Sequence, residues 1–172
     1  MIERNGGRLS TGFLGTPYLL HALSENGRID VAYNLLFQEK CPSWLFQVNK
    51  GATTMWEHWD GIDENDDFWS AEMNSFNHYA YGSVFDWIFE NSVGIKRIKE
   101  GLKEIEISPK IDYRFGFIKS SYKYKNKEIT IEWKKEDGKY VCEVYLSKGV
   151  NAYFVEHNNR IKLSPGLTKI SL

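Results

Sequence analysis

The residues best suited to catalysis or ligand binding lie in one short stretch, 56–60, which reads WEHWD. Glu57 supplies a carboxylate and His58 an imidazole between two tryptophans, and His78 follows in a later motif. Pyranose rings pack their C–H faces on indole, and their hydroxyls need a few well-placed polar partners. A carboxylate beside indoles is partly desolvated, which suits it to general acid or base catalysis. The stretch therefore favours a carbohydrate site.

β-Branched and aromatic residues across 53–60 predict an extended segment, which an acidic loop at 63–67 follows. In an extended chain, alternate side chains point to opposite faces. The predicted faces carry Trp56, His58 and Asp60 on one side and Glu57 with Trp59 on the other. The plainer alternative is that Glu57 is an exposed surface carboxylate and that both histidines are structural hydrogen-bonding groups.

The other polar and sulfur groups are interpreted as structural. His21 lies among leucines and is expected to face the core or another helix, whereas His157 is expected to be solvated. The acidic loop 63–67 lacks the glycine and terminal glutamate spacing of a calcium loop. Cys41 and Cys142 lack zinc-ligand spacing, and both are predicted to be buried small residues. No metal or cofactor is expected.

Helical spacing of apolar residues dominates the first half of the chain. One helix is predicted over 15–26 with Thr16 as its N-cap, and a second over 30–40. The short connection between them predicts an antiparallel hairpin. The predicted buried stripe of the first helix is Tyr18, Leu19, Ala22 and Leu23.

Two further helical segments complete this half. Pro42 is expected to start a short turn, and the longest helix is expected to run from a cap at Asn74 or Ser75 up to Gly94.

The second half alternates with period two, which is typical of an antiparallel β-sandwich. The alternating sets are Ile105 with Ile107, Phe115 with Phe117, Ile129 with Ile131 and Trp133, and Val141 with Glu143 and Tyr145. Predicted turns lie at Asp137-Gly138, Lys148-Gly149, Asn158-Asn159 and Pro165-Gly166. We therefore expect two domains, 1–95 and 96–172.

Bulk properties exclude several classes of protein. The net charge of -1 gives no strong field to attract nucleic acid or an anionic membrane. The N-terminal residues are polar, without the apolar run of a secretory signal, which favours a cytoplasmic location. The expected ligand is a neutral molecule.

Three long strings resemble the bacterial α-L-rhamnosidases and occur in that family's order. They are STGFLGTPYLL at 10–20, GATTMWEHWDG at 51–61 and MNSFNHYAYG at 73–82. The segments YNLL at 33–36 and PSWL at 42–45 are also similar, and IEISP at 105–109 resembles the start of the family's C-terminal β domain.

This resemblance implies the last helices of an (α/α)₆ six-hairpin barrel followed by a β-sandwich. It also implies hydrolysis of terminal α-L-rhamnose with inversion, by a carboxylic acid and a water-activating carboxylate. Glu57 matches the proposed base, and His78 matches a histidine that contacts the sugar. Trp56 and Trp59 are expected on or near the pocket wall.

Two departures from the family pattern stand out. His58 replaces the usual arginine, which would weaken a salt bridge at that position. No carboxylate here matches the family's general acid, so we expect the C-terminal portion of an α-L-rhamnosidase, a truncated or split enzyme that is inactive alone. Its partners would be a rhamnose-containing glycoside and the missing N-terminal part. The alternatives are a non-catalytic carbohydrate-binding or interaction module and a structural remnant.

Overall fold

The computed structural model describes residues 2–99, 102–157 and 159–171. Contacts divide the chain into two compact units, Met1–Trp87 and Ile88–Leu172. The first unit contains short helices and long loops, and the second contains two β-sheets. This is the predicted class of fold, and the finer domain limits of 1–95 and 96–172 stay a prediction.

The first unit begins with a pair of packed helices, α1 (Thr16–Glu25) and α2 (Ile29–Leu36). The predicted N-cap is wrong, because Gly15 occupies the cap position and Thr16 is the first helical residue. The Thr16 hydroxyl is buried and lies 2.9 Å from that of Thr11. Helix α2 ends at residue 36 and not at residue 40.

The buried side of α1 also differs from the prediction. Leu20 and Thr16 are buried, whereas Tyr18 is 72% exposed and Ala22 is exposed. Apolar residues occur on both sides of this helix, so periodicity alone did not identify the inner side. The inner side is the one where Trp87 Nε1 donates to Ser24 Oγ at 2.9 Å.

A third helix, α3 (Trp44–Asn49), begins after Ser43, whose hydroxyl accepts from Phe46 N at 3.1 Å. The helix therefore starts two residues after Pro42, the predicted first residue. Ser43 provides the cap that the four unpaired N-terminal amides of a helix require.

The longest predicted helix is shorter and less regular than expected. A 3₁₀ turn, Ala80–Ser83, leads into α4 (Val84–Trp87), and a π-helical segment, Ile88–Val93, follows in the second unit. The predicted caps Asn74 and Ser75 are wrong, since the residues before Ala80 pair with another loop.

The second unit is a β-sandwich of two four-stranded sheets, ordered β1-β2-β6-β7 and β3-β4-β5-β8. The strands are β1 (Ile95–Lys99), β2 (Glu104–Ile107), β3 (Phe117–Tyr124), β4 (Lys127–Glu136), β5 (Lys139–Leu146), β6 (Ala152–Glu156), β7 (Asn159–Leu163) and β8 (Gly166–Ser171). Neighbouring strands in the described residues pair antiparallel, except for the parallel pair β2 and β6.

The sandwich core lies between the inner faces of the sheets. Trp133 is fully buried there and donates from Nε1 to Ser92 O at 2.7 Å. On β5, the buried residues are Cys142, Val144 and Leu146. The predicted alternation is correct for β2 and β4, whereas the set that begins at Val141 faces outward. The set Phe115 with Phe117 is wrong, because Phe115 lies in a bend before β3 and Phe117 is exposed.

Turns and cysteines match the sequence in part. Asp137 and Gly138 both have positive φ, as a type I′ hairpin turn requires. Asn158, in another predicted turn, lies outside the described residues. Cys142 is buried as predicted, and burial raises the pKa of its thiol to about 12, whereas Cys41 is only half-buried. No helix in the described ranges has the length and apolarity to cross a membrane.

Candidate active site

Two loops of the first unit, one with Glu57 and one with His78, lie side by side and are joined by backbone hydrogen bonds. Glu57 N donates to Ser75 O at 2.9 Å, and His78 N donates to Met55 O at 2.8 Å. These bonds engage Ser75 O and His78 N, two groups that a helix capped at Ser75 would use. The pairing brings together the loops that carry the predicted base and the predicted sugar-contacting histidine, although 20 residues separate the two in the chain.

The ring of His78 is held by stacking and by a hydrogen bond. It stacks on Phe13 with centroids 4.7 Å apart and planes 10° apart, and on Tyr79 at 5.5 Å. Its Nδ1 accepts from Ala80 N at 3.4 Å. A neutral imidazole that accepts at Nδ1 carries its proton on Nε2, so Nε2–H can donate to a ligand oxygen.

Tyr81 is a residue of this site that the sequence argument missed. Its buried ring stacks on Trp59 with centroids 3.7 Å apart and is tilted against Phe13 at 5.2 Å. Burial raises the pKa of the phenol, and the negative charges of Asp60 and Glu57 raise it further. The phenol therefore stays protonated near two carboxylates. The dense aromatic run at 78–81 was the available signal.

The two indoles around Glu57 are both buried, Trp56 at 3% exposed and Trp59 at 8%. Trp56 meets Phe76 edge-on at 5.0 Å, and Trp59 Nε1 donates to Thr11 O at 3.3 Å. The predicted division of this segment into two faces is wrong, because the segment is an irregular loop and not an extended strand. Sugar contact by either indole stays a prediction.

His58 makes an aromatic contact. Its imidazole stacks on Trp69, and its carbonyl accepts from Gln47 Nε2 at 2.9 Å. The other histidines lie as expected. His21 Nε2 lies 3.4 Å from Asp86 Oδ2 on α4, and His157 is exposed.

Hydrogen bonds between the Asp63 carboxylate and backbone amides stabilise the acidic loop 63–67. Asp63 accepts from Asn65 N at 2.8 Å and from Asp67 N at 3.0 Å, and these amides lower the pKa of its carboxyl. Lys50 Nζ lies 2.6 Å from Asp66 Oδ1. Across the described ranges, no group of three or more histidine, cysteine or acidic residues could hold a metal ion.

The helical unit, the β-sandwich and the Glu57–His78 pairing place the chain in the class of six-hairpin glycosidases. Residues 1–92 match the bacterial alpha-L-rhamnosidase 6 hairpin glycosidase domain, and residues 94–161 match the bacterial alpha-L-rhamnosidase C-terminal domain. The chain belongs to the bacterial α-L-rhamnosidase family, which confirms the resemblance seen in the sequence.

Individual relatives agree with this assignment. The chain is 38% identical over 169 residues to an alpha-L-rhamnosidase of Streptomyces avermitilis, and 40% identical over 147 residues to one of Alteromonas sp.. These alignments cover 96% and 86% of this chain but 16% of either relative. The chain therefore spans about one sixth of the length of these relatives.

Solved structures show the same fold. The S. avermitilis alpha-L-rhamnosidase in complex with L-rhamnose superimposes with a TM-score of 0.92 at 32% identity, and the Aspergillus terreus enzyme with 0.92 at 28%. Each comparison covers 99% of this chain, with 19% and 20% of the respective structures.

Proposed function

We propose that this chain carries the water-activating half of an α-L-rhamnosidase active site, with Glu57 as the general base. The observation that supports this role most directly is the backbone pairing of the loops that carry Glu57 and His78. It is consistent with a carboxylate and an imidazole that act on the same sugar. In an inverting reaction, the base takes a proton from water as the water attacks the anomeric carbon from the face opposite the leaving group.

The neighbouring residues have distinct parts in this proposal. His78 donates from Nε2 to a sugar hydroxyl and fixes the ring relative to the water. Tyr81 packs between Trp59 and Phe13 and holds the floor of the site. Trp56 precedes Glu57 and packs edge-on against Phe76, which limits the movement of the loop.

The general acid comes from another polypeptide segment in this proposal. Inverting hydrolysis uses two carboxyl groups roughly 6.5–9.5 Å apart, with one that protonates the leaving oxygen. The chain covers only 16% of its relatives, so the remainder of the barrel is the natural source of that acid. We expect the isolated chain to be inactive.

Exposed apolar side chains on the helices also indicate that the remainder of the barrel packs against this chain. Leu14, Tyr18 and Phe85 are 91%, 72% and 63% exposed. They lie on or beside α1 and α4, which pack against each other and are joined by His21 and Asp86. Apolar surface of this kind is normally covered, and barrel helices are a partner of matching chemistry.

The test grafts this chain in place of the matching segment of the S. avermitilis relative. The isolated chain should release no chromophore from an aryl α-L-rhamnoside, whereas the graft should turn it over. Glu57→Gln in the graft should lower kcat by about 100- to 10,000-fold, and Glu64→Gln, at an exposed loop carboxylate, should not. Proton NMR should detect β-L-rhamnose as the first product.

Three results would contradict the proposal. Turnover by the isolated chain that Glu57→Gln abolishes would show that the acid is also present in it. Full activity of Glu57→Gln in the graft would remove Glu57 from the mechanism. First release of α-L-rhamnose would exclude inversion.

A further inference from the structure

Trp69 presents an aromatic face that the proposed catalytic residues do not use. Its indole stacks on the imidazole of His58 with ring centroids 3.6 Å apart and planes 14° apart, and the residue is 49% exposed. Stacking on His58 covers one face of the indole, and the 49% exposure shows that a large part of the residue is accessible to solvent.

Hydrogen bonds fix the backbone at both Trp69 and His58. Trp69 N donates to Gly61 O at 3.1 Å, and the same carbonyl accepts from Asn74 Nδ2 at 2.7 Å. The carbonyl of His58 accepts from Gln47 Nε2 at 2.9 Å. The indole is therefore held in place before a ligand arrives, which reduces the entropy cost of binding.

The groups around the indole favour a neutral, hydroxyl-rich ring. Asp67 and Glu72 are exposed carboxylates on the same loop, so an anionic ligand would be repelled. Ser70 Oγ accepts from the amides of Glu72 and Met73 at 3.2 Å each, which turns its O–H away from these amides. An indole whose neighbours in sequence carry hydroxyl and carboxylate groups suits a pyranose, which offers C–H groups to the indole and hydroxyls to polar partners.

We propose that the open face of Trp69 binds a pyranose ring of a carbohydrate ligand, separate from the sugar that Glu57 and His78 contact. His58, on which Trp69 stacks, directly follows Glu57, so the Cα atoms of His58 and Glu57 are about 3.8 Å apart. The proposed second sugar would therefore bind near the loop that carries the base. Binding at Trp69 needs no turnover and so does not depend on the proposed catalysis.

The experiment titrates the ¹⁵N-labelled full chain with methyl α-L-rhamnopyranoside and, in a second series, with methyl α-D-glucopyranoside. The indole N–H signal of Trp69 is assigned as the one that disappears in Trp69→Phe. We expect that signal to shift saturably, with a dissociation constant on the order of 1–10 mM. A response to both sugars indicates recognition of the pyranose face, and a response to the rhamnoside alone indicates selection by the rim hydroxyls.

Variants locate the site. Trp69→Ala should weaken binding by about threefold to tenfold, and Trp69→Phe by less, because a smaller ring remains to stack. In both variants the indole signal is lost, so binding is followed on the backbone amide signals of residues 58–74. The matched control is Tyr124→Ala, which removes an aromatic ring of similar exposure from the sandwich and should leave binding unchanged.

Three outcomes would overturn this proposal without touching the catalytic one. The Trp69 signal could stay unshifted up to about 100 mM of either sugar, well above the expected constant. Binding could be lost in His78→Ala and kept in Trp69→Ala. In the grafted enzyme, Trp69 could be shielded from acrylamide without sugar, which would make it a packing surface for the barrel. The titration uses the unmodified chain, and NOE contacts with the backbone amides of residues 58–74 assign the Trp69 indole signal if Trp69→Phe does not fold.

Discussion

Gly94→Ala should destabilise the β-sandwich more than any ordinary glycine substitution in a turn. Gly94 has φ +85°, and a Cβ built on it would lie 2.3 Å from Pro109 N and 2.5 Å from Pro109 Cα. Favourable contacts between carbon atoms are about 3.5–4.0 Å. The atoms in the way belong to backbone, and Ser108 N already donates to Gly94 O at 2.8 Å, so the segment after β2 would have to move.

The expected loss combines two effects. A non-glycine residue at this φ costs about 1–2 kcal/mol, and forced displacement of packed groups adds about 1–3 kcal/mol. We therefore expect a loss of roughly 2–5 kcal/mol in the free energy of unfolding. Gly138→Ala is a matched control, because Gly138 has φ +84° and a Cβ added to it would meet no atom within 4 Å. Gly138→Ala should therefore lose only about 1–2 kcal/mol, the cost of a non-glycine residue at this φ.

Urea unfolding measures the difference. The indole NMR signal of Trp133 reports on the sandwich, and the midpoint multiplied by the denaturant slope gives the free energy. Equal losses in the two variants would refute the reasoning, since the close approach to Pro109 would then cost nothing. A changed slope would instead indicate an altered unfolded or native state.

Three further predictions concern single side chains. In an alkaline spectrophotometric titration, Tyr81 should ionise after the exposed tyrosines, because burial and nearby carboxylates raise the pKa of its phenol. Trp133→Phe should cost about 2–3 kcal/mol of unfolding free energy, through loss of the buried bond to Ser92 O and of packed volume. The Arg114 guanidinium lowers the pKa of Asp112, so Asp112→Asn should destabilise by about 1 kcal/mol above about pH 4, a difference that vanishes as pH falls through the lowered pKa.

Each of these has its own refutation. The late phase of the titration should be absent in Tyr81→Phe. A titration curve of the unmodified chain that is identical to that of the variant would contradict the assignment. A loss below 0.5 kcal/mol in Trp133→Phe, roughly the lower end for a net hydrogen bond, would mean that the indole bond is dispensable. A pH-independent difference in Asp112→Asn would show that charge is not its source.

Local patterns predicted the elements better than their faces. The alternation on β5 was visible, yet Val141 and Cys142 are both apolar, so the sequence permits either phase. Only pairing with β4, where Trp133 lies opposite Cys142, selects the inner face. In helix α1 the sequence likewise does not show whether the side with Tyr18 or the side with Leu20 is buried. Packing against neighbouring elements buries Leu20.

The candidate site depended on contacts that no local spacing encodes. Glu57 and His78 were recognisable individually from the quoted strings. The pairing of their loops follows from hydrogen bonds between residues about 20 positions apart, which are also found where a helix start was predicted. Tyr81 was missed because burial and the approach of Asp60 are properties of the folded chain.

The parallel pairing of β2 with β6 affects the order in which the sandwich folds. Ile105 lies opposite Ala152, so the intervening chain, including β3, β4 and β5, must close as a loop before this ladder can form. The β4–β5 hairpin needs only its two-residue turn at Asp137. Because closing a long loop costs entropy before its contacts form, hairpins should precede the parallel ladder. We therefore expect the sheet containing β2 to be completed after the β4–β5 hairpin, as hydrogen-exchange labelling during refolding would show.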